Sequence, residues 1–197
     1  MKKKLEEGMI QVYTGNSKGK TTAALGLALR AIGHHFHIAM VQFLKGSSYA
    51  GEIFAAERLY PQLEIYSYGY ECPRGGMIKS GETKCVGCMD CFVMPGKITD
   101  EDREITQLAM DCAKRVTISG DYDIVILDEI SNPVNLGLID EEEVLDLIDR
   151  RPQYTEMVLT GRSMPDRIIE AADLVTEMVE IKHPFQKGKT GRRGIEF

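Results

Sequence analysis

Met9-Ile10-Gln11-Val12-Tyr13-Thr14-Gly15-Asn16-Ser17-Lys18-Gly19-Lys20-Thr21-Thr22-Ala23-Ala24-Leu25 is the stretch whose reading decides the fold. The apolar run Met9 to Tyr13 reads as a strand, Gly15 to Thr21 as a glycine-bearing turn, and Thr22 to Leu29 as a helix. Strand, turn and helix, with Gly-Lys-Thr at the turn's end, are the context of a phosphate-binding loop. Backbone N–H groups and the positive end of the helix dipole would cradle phosphates there. Lys20 would add a mobile positive charge and Thr21 a hydroxyl for Mg²⁺. The usual loop has four residues between its first Gly and Gly-Lys. Here three follow Gly15, and Thr14 stands where that first Gly normally sits. The shorter spacing points to an unusual nucleotide pose or an unusual reaction.

Outward from this segment, strands alternate with helices, the pattern of a mainly parallel sheet flanked by helices. Ile38 to Phe43, Leu63 to Tyr66, Tyr122 to Leu127, Met157 to Thr160 and Leu174 to Met178 read as strands. Gly51 to Leu59, Glu141 to Ile148 and Pro165 to Ala172 read as helices. Another helix starts at Thr99, a cap residue followed by Asp100, Glu101 and Asp102, with Ile105, Leu108, Ala109 and Cys112 expected on one face. The expected class is α/β with a P-loop nucleoside triphosphate-binding (RecA-like) fold. Residues 1–197 read as a single P-loop domain, interrupted by a Cys-rich insert at about 70–97.

Of the 197 residues, 43% are hydrophobic and 27% charged, which suits a globular domain with a sizeable core. The net charge of −6 argues against nucleic acid as a partner. Basic residues concentrate only at Lys2-Lys3-Lys4 and in the tail from Lys187 to Arg193. The tail has two readings, a solvated end or a flap over a phosphate-rich ligand. No apolar run approaches the roughly 20 residues of a membrane span. The start of the chain lacks the apolar region of a signal peptide. A cytoplasmic location with reduced cysteines is therefore expected.

The second half of the site is Ile124-Val125-Ile126-Leu127-Asp128-Glu129, an apolar strand ending in two carboxylates. In an open parallel sheet, ligands gather beyond the carboxyl ends of the strands. Asp128 or Glu129 would thus approach the Mg²⁺ that Thr21 helps hold. Spacing alone does not divide the direct and indirect roles between them.

With these segments in order, the chain resembles the P-loop type of ATP:corrinoid adenosyltransferase. The resemblance rests on Tyr13 to Ala24, Val41-Gln42-Phe43-Leu44-Lys45-Gly46, Tyr122 to Glu129, Leu159-Thr160-Gly161-Arg162, Lys182-His183-Pro184-Phe185 and Gly194-Ile195-Glu196-Phe197. It implies transfer of the 5′-deoxyadenosyl group of ATP to Co(I) of a corrinoid substrate, with release of triphosphate. It also implies ATP lying in the loop in a reversed direction, which accounts for the short loop. Lys20, Thr21 and Glu129 are then the catalytic candidates. Gly15, Asn16, Ser17, Lys18, Gly19, Lys20, Thr21, Thr22, Arg30 and Arg162 are the nucleotide candidates, and Thr21, Asp128 and Glu129 the Mg²⁺ candidates. A homodimer is implied, and the need for Co(I) implies a reductase as partner. The sequence departs from the family's Gly-x-Gly-Phe-Thr-Trp segment, reading Tyr68-Gly69-Tyr70-Glu71-Cys72-Pro73 with no Trp anywhere. Tyr68 and Tyr70 either wall a planar ligand or pack beneath the insert.

The insert carries Cys85-x-x-Cys88-x-x-Cys91, with Cys72 upstream as a fourth thiol. Disulfides are rare in reducing compartments, so metal ligation is the natural reading. A [4Fe–4S] cluster and a tetrahedral Zn²⁺ both suit four thiolates. Cys112 sits at helical spacing from Ile105 and Leu108 and reads as a buried helix residue. His34, His35 and His37 follow Gly33 at a helix end and read as solvated. Two other functions compete with adenosyl transfer. One is a P-loop ATPase with a metal- or redox-sensing insert, and the other a non-catalytic nucleotide- or corrinoid-binding homologue.

Overall fold

The computed structural model describes residues 5–46, 49–188 and 191–197. Lys2, Lys3, Lys4 and Lys189 of the basic segments lie outside the described residues.

Six strands, β1 (Ile10–Thr14), β2 (Ile38–Phe43), β3 (Leu63–Tyr68), β4 (Ile124–Asp128), β5 (Glu156–Thr160) and β6 (Leu174–Glu177), join one sheet in the order β3-β2-β4-β5-β1-β6. Every neighbouring pair is parallel, so all carboxyl ends share one edge. Between the strands run α1 (Lys20–Ile32), α2 (Gly51–Leu59), α3 (Gly75–Ser80), α4 (Asp100–Ser119), α5 (Ser131–Asn135), α6 (Glu141–Arg150) and α7 (Asp166–Glu170). The expected α/β class holds, with a sheet that is wholly parallel.

The strands alternate side chains between two cores, as a pleat requires. Ala39, Val41 and Phe43 of β2 and Val125 and Leu127 of β4 pack with Ala109, Met110 and Val116 of α4. Ile38, Met40, Ile124 and Ile126 point the other way, toward Ala24 and Ala28 of α1 and Ala56 of α2. Both faces being covered, β2 and β4 are buried at every residue, which is why they read as unbroken apolar runs. The small Ala24 and Ala28 bring α1 close to the sheet. Edge strand β6 stays exposed along its length.

α2 has the expected bounds, and α4 starts at Asp100 behind a complete capping box, in which Thr99 and Asp102 satisfy each other's backbone N–H. The buried face of α4 differs from the apolar stripe expected. Leu108 is 52% exposed, while Asp102, Thr106, Ala109, Cys112, Ala113 and Val116 face inward. Asp102 tolerates burial because its carboxylate accepts from Thr99 N (2.7 Å), Thr99 Oγ1 (2.8 Å) and the Tyr70 hydroxyl (2.9 Å). Tyr70 is thereby tied to the first turn of α4. Tyr68 packs against the core on the α4 side. Helices α3 and α5, both very short, carry no sequence periodicity of their own.

Although burial opposes its charge, the Thr99 and Tyr70 bonds hold the Asp102 carboxyl below its ordinary value of 3.8. A depressed carboxyl stabilises the fold fully above that ordinary value and loses the contribution as pH falls through the lower folded value. Asp102→Asn should cost about 2 kcal/mol at pH 7. In urea titrations the gap to the parent should stay constant down to about pH 5 and narrow below pH 4. A gap independent of pH would show that the carboxylate form of Asp102 is not what stabilises the cap.

Candidate functional site

The loop between β1 and α1 is set by backbone constraints. Gly15 has φ +97°, and a Cβ there would lie 2.5 Å from the Met178 carbonyl oxygen, so only glycine fits. Met178 N–H donates to Thr14 O (2.9 Å), and Ser17 N–H donates to Met178 O (3.1 Å). The end of β6 thus braces the loop from both sides. Gly19, with φ +113°, precedes α1, whose first turn has no side-chain cap and no acidic residue. Its N–H groups are therefore left to an anion. The Lys20 ammonium folds back on the loop, donating to Gly15 O and Ser17 O at 2.8 Å each. Burial lowers the pKa of Lys20, and Glu129 opposes that shift.

Across the sheet edge, the fully buried Asp128 gathers the donors. Its Oδ1 accepts from Thr21 Oγ1 (2.7 Å) and Thr160 Oγ1 (2.8 Å), and its Oδ2 from Gln42 Nε2 (3.2 Å). Ser67 Oγ donates to Gln42 Oε1 (2.7 Å), which fixes the amide's direction. Lys45 Nζ lies 3.6 Å from Asp128 and 2.7 Å from Glu52. Burial lowers the pKa of Lys45, but Asp128 and Glu52 outweigh it and raise the pKa above its ordinary value. The Gln42–Gly46 segment is held against the end of β3, since a Cβ on Gly46 would sit 2.2 Å from Gly69 O.

Glu129 takes a left-handed φ of 60°, which turns it out of the strand. Its N–H donates to Thr160 Oγ1 (3.0 Å), and Asn132 Nδ2 donates to its carboxylate (3.0 Å). Burial first, then Asp128, raise its pKa above the ordinary 4.5.

These groups surround an open cavity of about 860 Å³. Ser17, Lys18, Gly19, Lys20, Thr21, Thr22, Glu129 and Arg162 line it, as do Lys45 and Glu52. Gly15 and Asp128 stand behind that lining and shape it. Asn16 is exposed and outside the lining, and Arg30 is set apart. Arg30 is exposed in the last turn of α1, ten residues beyond Lys20. At 1.5 Å per residue the helix carries it about 15 Å from the loop. Of the chain's end, Gly194, Ile195, Glu196 and Phe197 form part of the wall, whereas the described basic residues Lys187, Arg192 and Arg193 do not line it. Glu196 bonds Arg192 and lies 3.7 Å from Lys18. Gln42, Ser67, Thr160 and Glu52 were not among the expected site residues. Their signal was positional, since all but Glu52 sit toward strand carboxyl ends.

In the insert, burial first and then the neighbouring thiols of Cys72, Cys85 and Cys88 raise the pKa of Cys91. Cys112 is separate, buried in α4 and bonded by Arg115 (3.2 Å). Among the described residues, no three His, Cys, Asp or Glu side chains already stand as a metal-binding group. No described helix is long and apolar enough to cross a membrane.

A parallel sheet with a phosphate loop after β1 and a carboxylate pair after β4 defines a P-loop nucleotide-binding protein. The fold is also that of the flagellar accessory protein FlaH from Methanocaldococcus jannaschii (TM-score 0.52, 11% identity, 88% of this chain and 72% of that one). The family model described as ATP:corrinoid adenosyltransferase BtuR/CobO/CobP matches residues 6–197. Corrinoid adenosyltransferases from a Sinorhizobium species and from Escherichia coli K12 are 34% and 33% identical to it. Each alignment covers 98% of this chain, with 81% and 87% of the relatives. Corrinoid adenosyltransferase CobA of Salmonella typhimurium is 31% identical over 98% of this chain and 87% of its own length. The chain belongs to the ATP:corrinoid adenosyltransferase family.

The two adjacent carboxylates should respond oppositely to substitution. Asp128→Ala strands the Thr21, Thr160 and Gln42 donors and should cost about 3 kcal/mol in urea denaturation. Glu129→Gln should leave stability at pH 7 equal or higher. The raised pKa of Glu129 means its stabilising contribution is complete below pH 4.5 and is lost as pH rises through the folded value. Glutamine has no such loss. Equal destabilisation by both variants would contradict this division.

Proposed function

We propose that this chain transfers the 5′-deoxyadenosyl group of ATP to the cobalt of a Co(I) corrinoid, releasing triphosphate in cobalamin biosynthesis or salvage. The observation that carries the reading is the cavity in which the phosphate loop, Lys45 and Glu129 converge, in a chain matched to this family along nearly its whole length. In the reaction a Co–C5′ bond forms with the electron pair of Co(I), the C5′–O bond breaks, and its pair leaves on triphosphate. The nucleophile comes with the substrate, so the protein supplies alignment and charge.

Lys20, the free N–H groups at the start of α1, and Lys45 would take up the charge developing on the leaving triphosphate. Lys20 would exchange its bonds to Gly15 O and Ser17 O for phosphate oxygens. The phosphate contacts of this reading run from Ser17 to Thr22, with Gly15 as the loop's pivot. Arg162 lies at the rim, and Asn16 and Arg30 are more distant members. The Thr21 hydroxyl, Glu129 and the Asp128 beside them are hard oxygen donors that fit Mg²⁺. The raised pKa of Glu129 fits too, because a cation would relieve the burial of its charge. Mg²⁺, when bound, neutralises part of the triphosphate charge. Thr21 and Glu129 would face it, while Asp128 keeps the Thr21 side chain in place.

The reading treats residues 1–197 as a single P-loop domain with the insert at about 70–97, its four cysteines suited to an iron–sulfur cluster or zinc. It includes a homodimer, favoured by the exposed apolar Leu174, Val175, Val179 and Ile181 on and beyond the edge strand. It includes a reductase that supplies Co(I), and a cytoplasmic setting in which the thiols stay reduced.

Anaerobic incubation with ATP, Mg²⁺ and chemically reduced corrinoid tests the reading, with absorbance following the Co–C bond. Adenosylcorrinoid and triphosphate are expected in equal amounts. Lys20→Met should lower kcat/KM about 100-fold or more. Formation of ADP and phosphate instead would make the chain an ATPase and overturn the reading.

A further inference from the structure

Two polar side chains of α5 reach the turn that follows β5. Ser131 Oγ donates to Arg162 O (2.7 Å). Asn135 Nδ2 donates to Ser163 O (3.1 Å) and, at 3.4 Å, to Arg162 O. From the other side β1 holds the same turn, with Gly161 N–H donating to Tyr13 O (3.2 Å) and Met164 N–H to Thr14 Oγ1 (3.3 Å). Residues 161–164 are thus tied down at both ends. One of the ties is the hydroxyl of Thr14, the residue that stands where a phosphate loop's first glycine normally sits.

This turn needs those ties. Ser163 has a left-handed φ of 48°, unfavourable for a residue with a Cβ. A Cβ on Gly161 (φ 155°) would lie 2.0 Å from Ser131 Oγ, so only glycine lets α5 come this close. Such backbone persists where surrounding bonds over-determine it, and it gathers at ligand clamps. What the turn presents is Arg162, an exposed side chain that lines the cavity with Lys20 and Glu129. Of the other cations lining that cavity, Lys18 pairs with Glu196, Lys45 with Glu52, and Lys20 donates to the loop's own carbonyls. The Arg162 guanidinium makes no hydrogen bond or ion pair with a described residue. Asn132, on the same short helix, holds the Glu129 carboxylate (3.0 Å), so α5 fixes an anionic and a cationic part of the wall together.

We propose that Thr14, Ser131 and Asn135 are positioning residues, which hold the turn so that Arg162 meets the nucleotide's triphosphate. This role rests on the nucleotide reading above and deepens it. A guanidinium is a planar fork that matches two phosphate oxygens at once, but it sits on a long side chain that turns about several bonds. A fixed backbone limits where that fork can reach. As the C5′–O bond breaks, charge builds on the triphosphate, and an arginine already in place stabilises it without reorganising. Ser131 and Asn135 touch no substrate and act through Arg162.

The test is calorimetry on the full chain, with tripolyphosphate and with ATP plus Mg²⁺ as ligands. Asn135 is exposed, so Asn135→Ala should leave the urea midpoint unchanged while weakening both ligands about 5-fold. In an Arg162→Ala background the same substitution should change nothing further. Thr14→Val keeps the shape but removes the acceptor of the Met164 N–H, and it should weaken binding in the same Arg162-dependent way. Thr14→Ser, which keeps the hydroxyl, should bind like the parent. Unchanged affinity in Asn135→Ala overturns the positioning role. An equal loss with and without Arg162 also overturns it, because Asn135 would then act elsewhere. Parent protein that binds neither ligand would instead end the nucleotide reading, and this role with it.

Discussion

The carboxylate of Asp128, shut away from solvent at the end of β4, holds three other parts of the chain in one place. Thr21 comes from the start of α1, Gln42 from β2 and Thr160 from β5, all within hydrogen-bonding distance of its two oxygens. A parallel ladder sets strand spacing near 4.8 Å but says little about where a loop beyond it lies. Side-chain bonds to one buried acceptor convert that register into a fixed position for the phosphate loop. Thr160 serves twice, donating to Asp128 and accepting from the backbone of Glu129. That second bond helps sustain the left-handed turn at Glu129, a conformation costing about 1–3 kcal/mol in a residue with a Cβ. The same turn separates the two carboxylates, one sealed into the network and one lining the cavity.

The charges left over are poised against their surroundings. Burial pushes Lys20 toward its neutral form and Glu129 toward its protonated form. Each charge is costly where it is buried, and a polyphosphate beside Lys20 or a cation beside Glu129 would relieve it. A site of this kind trades stability for ligand affinity, as functional sites commonly do. Lys45 is the contrast. Its pairs with Glu52 and Asp128 already settle its charge, so it holds the β2 end in place as well as lining the cavity.

The readable parts of the sequence were those in which local pattern and tertiary role coincide. β2 and β4 are buried on both faces and announce themselves as apolar runs, and the phosphate loop is a contiguous motif whose spacing carries its geometry. The Asp128 network was hidden because Gln42, Asp128 and Thr160 meet only once the strand order places β4 between β2 and β5. Arg30, a candidate by resemblance, has no local pattern that tells its role, and the straight helix α1 sets it about 15 Å from the loop. Leu108 was assigned inward by periodicity, whereas the chain buries Asp102 and Thr106 and satisfies both by hydrogen bonds. Buried polar residues with complete partners are invisible to a hydrophobic pattern. The short helix α3 begins Gly75-Gly76, where propensity predicts no helix at all.

The shortened phosphate loop follows from the edge strand beside it. Met178, immediately after β6, accepts the Ser17 N–H and donates to Thr14, while its backbone occupies the space where any side chain on residue 15 would go. One N–H that might otherwise face phosphate is therefore spent on the protein, and the loop is clamped by a strand with little other cover. The chain beyond β6 returns over the same cavity, but its contacts there are slight. Lys18–Glu196 is a pair at 3.7 Å that solvent screens, and Phe197 meets Tyr49 through one ring edge. The loop is thus held firmly at its base and covered loosely at its mouth. That combination suits a nucleotide whose phosphates must be fixed while its ribose carbon stays open to a large second substrate.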